Sequence, residues 1–266
     1  MAEHLIERMT WQEVEALIEA GVDAVLLPIG TTEQHGPHMP LDTDCVIARG
    51  LATRAAQLAA DEGLRVLVAP TLNVTLSWYH MQFPGSMRLT TTTFLTVFRE
   101  ICDSLVQHGF QNVVAINGHG GNVAALTVAV NSYFEQTGHR VFLAQWWDLA
   151  ADVLADVEGP MIHAEEAETS IALALGQRVE MERATRDAWD RGGAVRDAGF
   201  QWTSLGQYGM RHAGPKVVVP MDMLRDITAS GVVGDATRAR TETGERMVAA
   251  VVPRIVQVCR EMAGKG

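Results

Sequence analysis

The chain has 266 residues, with 21 Lys+Arg against 32 Asp+Glu for a formal net charge of −11, and 47% of its residues are hydrophobic. That supply of apolar residues suits one large domain or two small ones and argues against disorder. The acidic balance argues against nucleic acid as the main partner, because phosphate binding needs a Lys/Arg surface. The longest apolar run, Met247 to Pro253, is seven residues, far short of the roughly 20 that a membrane-spanning helix needs, so a soluble protein with no membrane contact is expected. The mixed-charge start MAEHLIERM lacks the apolar centre of a signal peptide. Cys45, Cys102 and Cys259 are scattered and odd in number, which fits a reducing cytoplasm. Thr10-x-x-Glu13 forms a capping box that opens a helix over Trp11 to Glu19, with Val14, Leu17 and Ile18 on one face. The aliphatic run Ala24 to Ile29 predicts a buried strand ended by Gly30. A helical pattern covers 44–61, a strand Arg65 to Ala69, and Phe94, Leu95, Phe98, Ile101, Cys102 and Leu105 mark another helix face.

Strand Asn112 to Ile116, a Gly-rich turn, a helix from Val123 to Phe134 and a strand from Arg140 to Ala144 complete a β-α-β-α series. Such alternation predicts an α/β fold, a mostly parallel central sheet flanked by helices. A helix is expected from Ala164 to Leu175, and 176–220 is irregular apart from a late strand at Val217 to Val219. The final helix, Ala236 to Met262, contains Pro253, which should kink or divide it. With no repeats or Pro/Gly/Ser-rich linker, a single domain over 1–266 is the simplest reading.

Three clusters carry candidate chemistry. The first, Gly30 to His38 followed by Leu41-Asp42-Thr43-Asp44, places Glu33, His35 and Asp44 just beyond a strand, where an open parallel sheet has its ligand crevice. Imidazole and carboxylate are ligands for zinc, manganese or iron, and a carboxylate can bridge two ions. Charged residues also gather in surface loops, so Glu33 or His35 alone reads equally as surface. The second cluster, Asn117-Gly118-His119-Gly120-Gly121-Asn122, again lies between strand and helix. Its glycines allow a tight turn and close backbone approach, and it matches neither nucleotide-loop pattern. In the third, His163-Ala164-Glu165-Glu166-Ala167-Glu168, helical spacing turns Glu168 towards the crevice and Glu166 to solvent; an acidic helix start is by itself ordinary surface.

Taken in order, EQHGPHMPLDTD, NGHGGN and HAEEAETS resemble the three signatures of the creatininase (creatinine amidohydrolase) family, and Phe83-Pro84-Gly85-Ser86 and Gly231-Val232-Val233-Gly234-Asp235 resemble further family segments. The resemblance implies a divalent-metal centre that hydrolyses C–N bonds, often in small cyclic or formyl amides, with a peptidase among the members. By motif, Glu33 and His119 would hold one metal, His35 the other, Asp44 would bridge them and Glu168 would complete the site. It also implies cyclic homo-oligomers, a hexamer, in which Trp189, Phe200 and Trp202 are candidates for burial by a neighbour. Two departures stand out: creatininase has Glu where this chain has Gly121, and relatives commonly have Gly where it has Glu165. Glu168 is the natural replacement for the ligand missing at Gly121; Glu165 either meets a basic substrate group or points away.

The expected activity is therefore a metal-dependent amidohydrolase with two ions per subunit and a small-molecule substrate. A bound ion lowers the pKa of water towards about 7 and polarises a carbonyl. Catalytic roles fall to Glu168 and to His163, the candidate for proton transfer to the leaving nitrogen; His163 reads equally as a helix cap or a residue orienting a ligand. Trp78 and His80, with Trp146 and Trp147, are candidates for substrate contact, the Trp pair reading equally as packing. A lactone- or peptide-hydrolysing enzyme and a non-catalytic binding protein are the competing readings, and the changed second motif leaves creatinine itself unsupported as substrate.

Overall fold

The computed structural model describes residues 3–158, 161–187 and 221–264. Its sheet is built from β1 (Ala24–Ile29), β2 (Val66–Val68), β3 (Val113–Asn117) and β4 (Val141–Gln145), all parallel, in the order β2-β1-β3-β4. The register pairs Ile29 with Asn117 and Asn117 with Gln145, so the ends of β1, β3 and β4 lie level and their loops open on one side.

Period-two alternation divides the core between two helical layers. Leu26, Val114 and Ile116 face α2 (Thr43–Asp61), α7 (Glu166–Ala174) and the C-terminal α9 (Thr241–Ala263). Val25, Leu27, Ile29 and Ala115 face α1 (Trp11–Glu19), α3 (Thr91–Gln107) and α4 (Val123–Thr137). The capping box forms as expected, Thr10 accepting from the Glu13 amide and Glu13 from that of Thr10. Pro253 does not divide α9, because it sits on the exposed face, where the partner its missing N–H leaves behind is open to water. Gly244 brings α9 against α7 so closely that a Cβ there would overlap the Ser170 carbonyl.

Short helices α5 (Trp146–Leu149) and α6 (Ala151–Leu154) follow β4, and α8 (Leu224–Ile227) precedes the last strand. That strand, β6 (Gly234–Asp235), pairs antiparallel with β5 (Arg186–Asp187). The Asp187 carboxylate accepts from Thr228 Oγ1 at 2.7 Å and Ser230 Oγ at 2.8 Å, and the Val233 amide donates to the His163 carbonyl at 2.9 Å. The strand expected at Val217 to Val219, like Trp189, Phe200 and Trp202, lies outside the described residues.

Candidate metal centre

The site forms where α2 starts directly over the ends of β1 and β3. Gly30 closes β1 and Gly118 follows β3; a Cβ on Gly30 would lie 2.5 Å from the Cys45 amide nitrogen and 2.7 Å from the Asp44 carbonyl carbon, and one on Gly118 would overlap the Asp44 carbonyl oxygen. Bare backbone on both sides therefore lets the first turn of α2 descend between the strands and carry Asp44 into the crevice. Glu33 and His35 come from the loop after β1, His119 from the turn after β3, and Glu168 from the first turn of α7. All five side chains are buried.

Hydrogen bonds set the imidazole tautomers. A carbonyl only accepts, so His119 Nε2 donates to the Leu76 carbonyl at 2.7 Å, leaving Nδ1 directed at Glu33 Oε1 (3.2 Å) and Asp44 Oδ2 (3.1 Å). His35 Nδ1 donates to the Glu33 carbonyl at 3.1 Å, leaving Nε2 3.0 Å from Asp44 Oδ1 and 4.0 Å from Glu168 Oε2. Each ring is anchored through one nitrogen and turns the other inward, the arrangement expected of histidine ligands. Glu33 Oε1 and Asp44 Oδ2 are buried with no hydrogen-bond donor of their own. Glu33, Asp44 and His119 form one group of donors, His35, Asp44 and Glu168 a second and Glu33, His35 and His163 a third, each within 4.8 Å; the first two share Asp44. These N and O donors suit divalent cations.

The electrostatics point the same way. Burial opposes charge on His35, but Asp44, Glu168 and Glu33 beside it push its pKa up to about 9. Burial also opposes charge on His119, and Glu33, Tyr79 and Asp44 drive it well above the ordinary value. Asp44 is raised by burial but held below the usual carboxylate range by His35 and His119. Burial raises Glu168 to about 7, with His35 offsetting part of the rise. Among the described residues the ion-pair partners of Glu33, Asp44 and Glu168 are histidines alone, with no Lys or Arg. A buried acidic cluster of this kind calls for cations.

His163 stands beside the cluster. Its Nε2 donates to the Gln34 carbonyl at 2.7 Å, and its Nδ1 lies 3.7 Å from Glu33 Oε1. Burial and the neighbouring His35 lower its pKa, so the ring is neutral with Nδ1 available to accept a proton. His80 packs edge-on against it, ring centroids 4.4 Å apart. A cavity of about 220 Å³ opens above these groups, lined by Tyr79, His80, Gly121, Ile162, His163 and Met221, together with His119, Gly120 and Glu168.

Three expected substrate contacts are corrected by this placement. Trp146 and Trp147 pack in the apolar core between the sheet, α2 and α9, their rings edge to face at 5.9 Å, because α5 begins immediately after Gln145 and turns both indoles under the sheet. Trp78 is 41% exposed and lies outside the cavity lining; its neighbour Tyr79 faces in. Glu165 points away from the cavity and caps α7, accepting from the amides of Ala167 (2.8 Å) and Glu168 (3.2 Å). Glu166 lies on the outer face, paired with Arg238 at 3.0 Å. Ser77 donates to Glu33 Oε2 at 2.5 Å. Ile162 and Met221 carry no chemical signal that would have singled them out.

Comparison with known proteins gives the same assignment. The family model described as creatinine amidohydrolase matches residues 7–259. The mycofactocin precursor peptide peptidase of Mycolicibacterium smegmatis is 42% identical over 110 residues, 41% of this chain and 44% of that protein. That of Mycobacterium tuberculosis is 30% identical over 244 residues, 88% of this chain and 83% of the other. Among solved structures a manganese creatininase superposes with a TM-score of 0.75 at 26% identity, covering 98% of each chain, and a zinc–zinc form with 0.77 at 25%, again covering 98% of each. With a family model spanning nearly its whole length and this fold beneath it, the chain belongs to the creatininase family.

Proposed function

We propose that the protein is a metal-dependent amidohydrolase that cleaves a C–N bond of a small substrate, with Glu33, Asp44 and His119 holding one divalent ion and His35, Asp44 and Glu168 a second. The observation that carries this is the pair of buried donor groups sharing Asp44. When bound, zinc, manganese or iron supplies Lewis acidity that activates water and polarises a carbonyl. The chain's own residues supply the rest. Ser77 fixes one oxygen of Glu33, so that the other faces His119. His163 Nδ1, neutral and anchored through Gln34, takes a proton from the attacking water and returns it to the leaving nitrogen. Tyr79, Ile162 and Met221 give the open cavity an apolar part of its wall.

A peptide amide is the second reading, supported by the similarity to the mycofactocin precursor peptide peptidases. Both readings are tested by loading the protein with zinc or manganese and assaying ring opening of creatinine to creatine and amine release from N-formyl amines and blocked short peptides, with lactones alongside. Creatinine opening or amine release from N-formyl amines supports the small-molecule reading, release from peptides alone the second, and lactone opening without any amide cleavage overturns both. Free Cys45, Cys102 and Cys259 support a cytoplasmic setting. Exposed Trp11, Phe134 and Phe142 support self-association, which sedimentation at micromolar concentration checks; a monomer there refutes it.

A further inference from the structure

The ring of Tyr79 packs edge-on against His80, centroids 4.6 Å apart, but its hydroxyl has a place that this packing does not account for. The ring is half-buried, lies nearly parallel to that of His119 with centroids 6.4 Å apart, and lines the cavity. The hydroxyl sits 3.4 Å from His119 Nε2. That nitrogen cannot accept from it, because its proton is committed to the Leu76 carbonyl at 2.7 Å, so the phenolic proton has no acceptor there. No other hydrogen-bond partner for the phenol occurs among the described residues. A hydroxyl held beside the candidate ligand His119, with its proton undirected, is a donor waiting for an acceptor from the cavity.

Gly121 explains how the phenol reaches this place. A Cβ at 121 would lie 2.5 Å from the Tyr79 hydroxyl oxygen and would also overlap His119 Nε2. Any side chain there would push the phenol off the ring it stacks on. Tyr79 and Gly121 are thus two halves of one arrangement: the bare backbone of the second motif vacates the volume that the hydroxyl fills.

Resting on the amidohydrolase reading above, we propose that the Tyr79 hydroxyl donates a hydrogen bond to the carbonyl oxygen of the substrate amide and holds that oxygen as negative charge develops on it. The water oxygen bonds to the carbonyl carbon, one water proton passes to His163 Nδ1, and the carbonyl π pair moves onto the oxygen facing Tyr79. When that pair returns, the C–N bond breaks and the leaving nitrogen takes the proton from His163. Tyr79 keeps its own proton throughout; it contributes a preorganised dipole where charge appears.

The test uses full-length, metal-loaded protein and acetate, whose oxygens resemble those of the carboxylate product. Calorimetric titration should show acetate binding about tenfold weaker in Tyr79→Phe than in wild type, with metal content and melting temperature unchanged. Trp78→Phe, next in sequence but outside the cavity, should bind acetate as wild type does. On an amide that the wild type hydrolyses, Tyr79→Phe should lower kcat about 10²-fold with KM changed much less. Equal acetate affinity in wild type and Tyr79→Phe at equal metal content overturns the proposal, as does wild-type protein that binds no acetate at millimolar concentration, or an unchanged kcat. Tyr79-dependent acetate binding in a protein that cleaves no amide would support the donor role and strike the amidohydrolase reading instead.

Discussion

The close seating of α2 on the strand ends makes Gly30→Ala a direct probe of how the centre is built. The added Cβ would meet the Cys45 amide nitrogen at 2.5 Å, and ordinary contact begins near 3.4 Å, so the first turn of α2 must retreat by about 0.9 Å. The atoms struck are backbone, which cannot swing aside as a side chain would. Overpacking of this kind costs about 1–3 kcal/mol, which for a chain of this size lowers the melting temperature by about 3–10 °C. The larger effect falls on the site, since Asp44 is shared by the two donor groups assigned to ions and a displacement near 1 Å costs on the order of 10²-fold in rate. The assay is elemental analysis of chelator-stripped and reconstituted protein, with thermal melting beside it. Gly138→Ala serves as the control: that residue has φ +75° at the end of α4 with nothing within 4 Å of an added Cβ, so it should lose about 1 kcal/mol to backbone strain and keep its metal. Gly30→Ala protein that reconstitutes to the wild-type metal content with an unaltered melting temperature would refute the claim that bare backbone at this position seats Asp44.

Further outcomes follow from other parts of the molecule. Glu168→Gln should reduce bound metal from about two ions per chain to about one and lower turnover, since an amide oxygen carries no full charge, whereas Glu166→Gln, which loses only the partly exposed pair with Arg238, should change stability by less than about 0.5 kcal/mol and leave metal content alone; the reverse pattern in elemental analysis would exchange the two roles. His38 is buried with Nε2 2.9 Å from Thr169 Oγ1, and burial, then charge on His35, push its pKa down to about 4. Between pH 4 and 6.5 the unfolded chain therefore binds the extra proton and stability falls as pH is lowered through that window, by at most about 3 kcal/mol; His38→Gln should flatten this acid limb in melting curves, and an identical limb would show that the loss arises elsewhere. Trp146→Ala should cost about 3–5 kcal/mol in denaturant unfolding as a core deletion, and a raised KM without loss of stability would return the indole to the substrate pocket.

Glu33, His35, Asp44 and His119 are legible in the amino-acid order because each follows a run of buried aliphatic residues, and a parallel sheet with level strand ends leaves such residues one place to go. Glu168 is legible through its spacing from Glu166 on one helix. The limits of that reading are local. Whether Trp146 and Trp147 face the crevice or the core depends on where α5 begins relative to Gln145, a difference of one residue that swings an indole through 100°. Glu165 could not be placed because a carboxylate at a helix start serves the amides of the first turn as readily as a ligand, and here it caps them. Tyr79 was hidden among three consecutive polar or aromatic residues on a short 3₁₀ turn, Trp78–His80, whose threefold period sends each to a different side. Its inward direction becomes evident only with Gly121 and His119 in place across the crevice.

The antiparallel pairing of β5 with β6, reinforced by the hydrogen bonds of Asp187 to Thr228 and Ser230, has an evolutionary meaning. It ties Arg186 and Asp187 to the segment from Thr228 to Asp235. Every candidate ligand lies on the N-terminal side of this stem, and the stem is fastened to the site where Val233 donates to the His163 carbonyl and the Gly231 carbonyl accepts from Gln34 Nε2. Descendants that vary this stem must therefore keep Gly231 and Val233 in register with Gln34 and His163 if the acidic centre is to be inherited unchanged.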